Sequence, residues 1–347
     1  MVEIRYTNEK EYDLSIAVWL ADDDYDHSPV EGPYISVTGL LKPDRMIVLD
    51  QRAKAVAAES DTIEEIDIDR YVASRLGTAI HSGIEHSWMR TLPGRLKLKA
   101  FMIALTRLGF SEEEVSLVRV NPSKEDLESN PDIIPVYMEL RAYKKISGYT
   151  VGGKFDFIGN GTLEDFKSMG VYGYMKGDKD EEQLMQGSLY RWLNPDLVTE
   201  DVMKIQQIFT DWSKLEALKG AKRGYPQLRI LAKELTLKSV EEIESWVHNK
   251  IDVIKSYADT PEAELPRCSP KDLWQTDPIY SYWSKSTNKK ATKNFDKSED
   301  AFAWMNSKGV GEVREKPGVV KRCGYCAAYD LCTQKDEYIA ANILQMP

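Results

Sequence analysis

The apolar positions of this 347-residue chain change period several times, and each change marks a different kind of element. Residues 1 to about 60 mix short strand-like runs, Tyr34-Ile-Ser-Val-Thr-Gly-Leu-Leu41 and Asp44-Arg-Met-Ile-Val-Leu49, with Pro, Gly and Asp turns. From about Ile63 to Arg90 the pattern is helical, with Tyr71, Leu76, Ile80, Ile84 and Trp88 recurring at steps of four to five. A further helix is expected over Leu96 to Leu108, and Ser111-Glu-Glu-Glu114 carries the signature of another helix start. Strand patterns dominate from Ile134 through Lys167. They give way to a helix over Asp180 to Leu193, closed by Pro195, and a strand over Lys204 to Trp212. Ser239 to Tyr257 forms an amphipathic helix with Val240, Ile243, Trp246, Val247, Ile251 and Ile254 on its apolar side. Beyond about Asp259 the regular pattern fades. This order predicts an α/β fold, a mixed central sheet flanked by helices. It divides the chain into an N-terminal lead-in subdomain (1–60), a core (61–258) and a C-terminal lobe (259–347).

The chemistry is concentrated in one predicted hairpin. The alternating runs Lys154-Phe-Asp-Phe-Ile158 and Thr162-Leu-Glu-Asp-Phe-Lys167 flank Asn160-Gly161, the dipeptide most favoured in a two-residue hairpin turn. Counting outward sets Gly159 against Thr162, Ile158 against Leu163, Phe157 against Glu164, Asp156 against Asp165 and Lys154 against Lys167. A three-residue loop, Gly159-Asn-Gly161, would slip this register by one. Directly opposed side chains have Cβ atoms only ~5 Å apart, so two facing carboxylates need neutralising. A divalent cation would do so, and Mg²⁺, held by one or two carboxylates plus waters and substrate phosphate, suits the pair. Lys167 shares a strand face with Asp165, so cation and ammonium would meet. The alternative is a surface hairpin whose acids are neutralised by Lys154 and Lys167 alone.

Overall charge does not supply the partner. The formal charge is −10, so attraction of nucleic acid needs local basic ground. Candidates are Arg95-Leu-Lys-Leu-Lys99, Lys214 through Arg223, and Lys285, Lys289, Lys290, Lys293 and Lys297 in a Ser/Asn-rich stretch, the last as a path for single-stranded DNA. No apolar run approaches the ~20 residues of a membrane span, and the N-terminus lacks a signal-peptide pattern, so a cytoplasmic location is expected.

Other residues could join the hairpin. His81 and Glu85, four apart, share a helical face and could serve a metal. Glu139 lies on the strand expected before the hairpin, as a third carboxylate or as a strand residue paired with Arg141. Gln186 and Tyr190 share a face of the following helix. Taken in order, Gly-Thr-Ala-Ile-His81, Gly-Gly-Lys-Phe-Asp156, Glu-Asp165-Phe-Lys167 and Gln186-Gly-Ser-Leu-Tyr190 resemble the PD-(D/E)xK nucleases of the RecB-like branch. That branch includes recombination-helicase nuclease domains, CRISPR-adaptation nucleases and phage exonucleases. The resemblance spans roughly residues 75 to 212. It implies a restriction-endonuclease-like core and Mg²⁺- or Mn²⁺-dependent DNA cleavage, exonucleolytic, in recombination, repair or phage DNA metabolism. The cell is then a bacterium or a phage-infected host. His81, Asp156, Asp165 and the Phe166 carbonyl would hold the metal, Lys167 would position or activate the attacking water, and Gln186 and Tyr190 would brace the site and contact the DNA. The competing reading is a catalytically silent DNA-binding or assembly subunit whose partner is a helicase, recombinase or annealing protein.

Cys268, Cys323, Cys326 and Cys332 follow the pattern C-x54-C-x2-C-x5-C. In a cytosolic chain this argues for metal rather than disulfides. Four thiolates suit tetrahedral zinc or an iron-sulfur cluster, and spacing alone does not separate them. AddB-type and CRISPR-adaptation nucleases end in a similar cysteine trio, so the resemblance implies a 4Fe-4S cluster, with zinc the alternative. In those families the distant cysteine precedes the nuclease motifs, whereas Cys268 follows them.

Overall fold

The computed structural model describes residues 3–22, 30–58, 63–89, 103, 105–107, 109, 111–177, 179–220 and 224–346. In chain order the strands are β1 (Glu3–Thr7), β2 (Tyr34–Ser36), β3 (Ile63–Asp67), β4 (Val118–Val120), β5 (Ile134–Met138), β6 (Arg141–Ile146) and β7 (Tyr149–Lys154). They continue as β8 (Phe157–Gly159), β9 (Thr162–Met169), β10 (Val202–Phe209), β11 (Ile230–Thr236), β12 (Ile279–Trp283), β13 (Lys293–Phe295) and β14 (Glu312–Lys316). The longer helices are α1 (Asp44–Ala58), α2 (Val72–Met89), α3 (Asp180–Leu193), α4 (Val240–Ser256) and α5 (Ser298–Lys308). They fall into two compact units. The larger comprises Arg5–Leu41 and Glu65–Asp252, the smaller Met1–Ile4, Lys42–Glu64 and Val253–Pro347. Residues 1–60 contribute to both units.

The larger unit is built on a six-stranded mixed sheet of order β11-β10-β9-β8-β5-β4 and a three-stranded sheet of order β2-β7-β6. The hairpin turn is as its dipeptide dictates: Asn160 (φ 48°) and Gly161 (φ 75°) are both left-handed, the geometry of a type I′ turn. Pairing follows the two-residue register, Gly159 with Thr162, Ile158 with Leu163 and Phe157 with Glu164. The predicted pairing of Lys154 with Lys167 does not occur. The chain leaves the ladder at Phe155 and Asp156, and Lys154 pairs instead with Arg141 in the smaller sheet. One run of apparent strand is thus two strands serving two sheets.

Helices cover the six-stranded sheet with complementary faces. Ile84 and Trp88 of α2 pack on a cluster of Val120, Val136, Met138, Phe157 and Phe166. Strand β10 buries every second residue, and Gly187 of α3 sits so close to Met203 that a Cβ there would collide with its sulfur. Helix α4 buries Ile243, Val247, Ile251 and Ile254 as its 3.6-residue period requires.

Several expected elements take a different form. Asp44 to Leu49, read as strand-like, begins the 15-residue helix α1. A run of four apolar residues fits either state, and the Ala-rich continuation decides for helix. Ile63 to Asp67 is strand rather than the start of a helix, and α2 begins only at Val72. Leu76, placed on the apolar stripe, is 51% exposed. Leu96 to Leu108, together with the basic run Arg95 to Lys99, lies largely outside the described residues, as do the last positions of Lys214 to Arg223.

The smaller unit is more regular than its sequence pattern promises. It holds an antiparallel sheet of order β13-β12-β14 with α5 against it, followed by two short 3-10 turns, Arg322–Tyr325 and Tyr329–Leu331. Cys268, Leu273, Val320 and Cys323 form an apolar cluster there, with Met46 of α1 packed against them. Among the described residues no helix is long and apolar enough to cross a membrane.

Candidate active site

Strand alternation puts Asp165 and Lys167 on one face of β9, where Phe166 points away into the α2 side of the sheet. Asp165 is 2% exposed. The Lys167 ammonium donates to its Oδ1 at 3.0 Å and lies 2.7 Å from Oδ2. Beyond that ion pair Oδ2 accepts no hydrogen bond.

Asp156 occupies the break between β7 and β8. Its Oδ2 accepts the Phe166 amide at 2.8 Å, so a side chain replaces a ladder bond and fixes the carboxylate against β9. Helix α2 delivers His81 from the other side. Its Nδ1 is 3.6 Å from Asp156 Oδ1, and its Nε2 is 2.9 Å from the Phe166 carbonyl. Two of the expected ligands, the imidazole and that carbonyl, therefore face each other.

Glu139 completes the group. It sits in the tight connection between β5 and β6 with φ 52°, its amide donating to the Asp156 carbonyl at 3.2 Å. Its carboxylate pairs with Lys154 at 2.7 Å, which replaces the strand pairing with Arg141 considered from the sequence. His81, Glu139 and Asp156 each offer a donor atom within 4.8 Å of the others; Asp165 is not among the three. Glu85 lies near enough to favour the charged form of Lys154, whose pKa is raised because the Glu139 carboxylate outweighs the opposing effect of burial.

Burial, reinforced by the neighbouring Asp165 carboxylate, pushes the Asp156 carboxyl up to about 6, although His81, the Phe166 amide and Lys167 all pull it down. The arrangement is short of positive charge. One nitrogen and two carboxylates converging beside the buried Asp165–Lys167 ion pair fit a hard divalent cation.

On α3, Gln186 donates to the Tyr190 hydroxyl at 3.1 Å. Tyr190 is buried, its ring so close to Gly153 of β7 that a Cβ there would meet it at 2.8 Å. Tyr190 thus packs against the strand leading into Asp156. Sequence reasoning missed Gln207. It pairs with Lys167 across β9 and β10, is 4% exposed, and its Oε1 has no partner. A signal was there: a polar residue in phase with Met203, Ile205 and Phe209, all buried.

All four cysteines line one pocket in the smaller unit, together with Arg45, Arg322 and Lys335. Arg45 of α1 is 4% exposed; it donates to Cys332 Sγ at 3.3 Å, pairs with Glu262, and bonds the Leu265 carbonyl. Burial pushes the Cys268 thiol up to about 12 and the Cys323 thiol up to about 11. Among the described residues no three of these sulfurs lie within 4.8 Å of one another.

No family model and no curated protein matches the chain. Among solved structures, that of SSO0001 is similar over 67% of this chain and 80% of its own, at 15% identity and a TM-score of 0.36. A phage-related exonuclease from Haemophilus somnus is similar over 41% of this chain and 68% of its own, at 14% identity and a TM-score of 0.25.

Proposed function

We propose that this protein is a Mg²⁺- or Mn²⁺-dependent DNA nuclease with a PD-(D/E)xK site, acting exonucleolytically. The observation that carries the reading is the convergence of His81, Glu139 and Asp156 within 4.8 Å, beside the buried Asp165 and its Lys167 partner. Spare negative charge beside a positioned ammonium is what hydrolysis of a phosphodiester needs before substrate arrives. His81, Asp156, Asp165 and the Phe166 carbonyl would hold the ion, with Glu139 as an added carboxylate. The bound ion would lower the pKa of its water and polarise the phosphate. Asp165 fixes the direction of the Lys167 ammonium, which is one-third exposed and thus open to a phosphate oxygen or the attacking water. Gln186 bonds Tyr190, which packs against β7. The test is digestion of end-labelled linear and covalently closed circular DNA by native protein, Asp165→Ala and Lys167→Ala. Loss of linear DNA alone, abolished by both substitutions, supports an exonuclease. Failure of the native protein to cut any substrate returns the chain to the silent assembly-subunit reading.

The cysteine pocket is proposed to hold a 4Fe-4S cluster. A Zn–S bond of about 2.3 Å sets tetrahedral sulfur separations of about 3.8 Å. Four cysteines around one pocket suit either guest, Arg45, Arg322 and Lys335 would offset the charge of its thiolates, and the family resemblance of the cysteine spacing favours the cluster. Anaerobically purified protein should absorb near ~400 nm. A colourless protein with bound zinc would refute the cluster.

A further inference from the structure

The sheet of the smaller unit has two unlike faces. Directly paired residues share a face, so Tyr280, Tyr282, Phe295 and Lys293 lie on one side. Ile279, Ser281, Trp283, Arg314 and Lys316 lie on the other. Helix α5 covers the first. Trp304 packs against Phe295 with ring centroids 6.1 Å apart, and the Lys293 ammonium sits 3.9 Å above the Trp304 ring. Lys293 is engaged with that helix and its charge is turned away from the opposite face.

The second face is partly open, with Trp283 half-buried and Arg314, Lys316 and Ile279 exposed. Ile279 is 38% exposed, and the Arg314 guanidinium, itself half exposed, stacks 4.4 Å over the Trp283 ring. Glu312 accepts from Arg314 Nε at 2.6 Å and holds the guanidinium in place. Arg314 Nη2 also reaches the Ser286 carbonyl at 3.3 Å, which ties the turn after β12 to this face. That turn is internally bonded: the Ser284 amide donates to Thr292 Oγ1 at 3.1 Å, and Asn288 Nδ2 donates to Ser284 Oγ at 3.2 Å. It presents Lys285, Lys289 and Lys290, all exposed, and has no acidic residue from Ser284 to Lys293.

We infer that this face binds single-stranded nucleic acid, with bases stacking on the Arg314–Trp283 pair and phosphates running along Lys285, Lys289 and Lys290. A flat guanidinium over an indole is a stacking plane that paired bases inside a duplex do not reach, and base stacking tolerates any sequence. The ordered turn places three cations beside that plane in a chain of net charge −10, so the attraction is local to this strip. This surface stands apart from the cleavage reading and does not depend on it.

The test is anisotropy titration of labelled oligothymidylate and oligouridylate, with a duplex as comparison. It uses the whole chain carrying Asp165→Ala, with no divalent metal added, so that cleavage plays no part. Lys289→Gln with Lys290→Gln should weaken single-strand binding and flatten its salt dependence by a slope of about 1.4. Arg314→Ala and Trp283→Ala should each weaken it about tenfold. Arg314 and both lysines are exposed, so those variants keep the test decisive if Trp283→Ala does not fold. Unchanged affinity and salt slope in the double lysine variant would overturn the inference. So would equal binding of duplex, or displacement by polyglutamate more readily than by oligothymidylate, which would mark an acidic protein partner. A preference between the two oligonucleotides decides DNA or RNA.

Discussion

Asp156→Asn tests the charge logic of the site without relying on turnover. The carboxyl rises from its ordinary 3.8 to about 6 in the folded protein. Below about pH 4 both states are protonated and nothing is at stake. Between about pH 4 and 6 the unfolded chain releases this proton while the folded one retains it, so stability falls as pH rises. Above about pH 6 the loss is complete, at ~1.4 kcal/mol per pH unit a total of about 3 kcal/mol. Asparagine keeps an oxygen to accept the Phe166 amide but carries no charge. The variant should therefore match the native protein near pH 4 and exceed its stability by up to about 3 kcal/mol at pH 7 and above, in chelator. Urea titrations followed by far-UV circular dichroism at successive pH values would read this directly. Adding Mn²⁺ at neutral pH should then stabilise the native protein and leave the variant unmoved. A variant that gains nothing between pH 4 and 7, or that Mn²⁺ stabilises as much as the native protein, would refute the argument.

Three further outcomes are expected. Gln207→Leu removes an unpaired buried acceptor, so its urea midpoint should hold or rise while kcat falls and KM stays, because the residue abuts Lys167 rather than substrate. Arg45→Ala leaves Glu262 with Thr333 but without its counter-ion, and Cys332 without its donor; a cost of about 3 kcal/mol in urea unfolding is expected, and an unchanged midpoint would contradict this. Gly161→Ala puts a Cβ at φ 75° against Thr199 and should cost ~1–2 kcal/mol in thermal unfolding, whereas Asn160→Gly should be nearly neutral.

What the residues determined by themselves was local. Asn160-Gly161 specified its turn because few dipeptides accept two left-handed positions, and the turn set the register through Phe157. Two-residue alternation then put Asp165 and Lys167 on one face. Helix α3 ends within its predicted bounds because Pro195 closes it, and the capping box at Ser111 and Glu114 marks the start of the helix Glu112–Leu117. The tertiary structure decided everything that depends on a distant partner. Lys154 could not be read as leaving the hairpin, since only β6 gives it another strand to join and only Glu139, in a left-handed turn, gives its ammonium a carboxylate. The length of α1 and the pairing of β12 with β13 and β14 were likewise hidden in segments whose own pattern is ambiguous or weak. Four cysteines spread from Cys268 to Cys332 state which atoms are available; folding alone brings them to one pocket and closes Arg45 over them. Periodicity and turn chemistry act over a few residues, whereas burial, charge and ligand geometry are sums over neighbours that the chain order does not name.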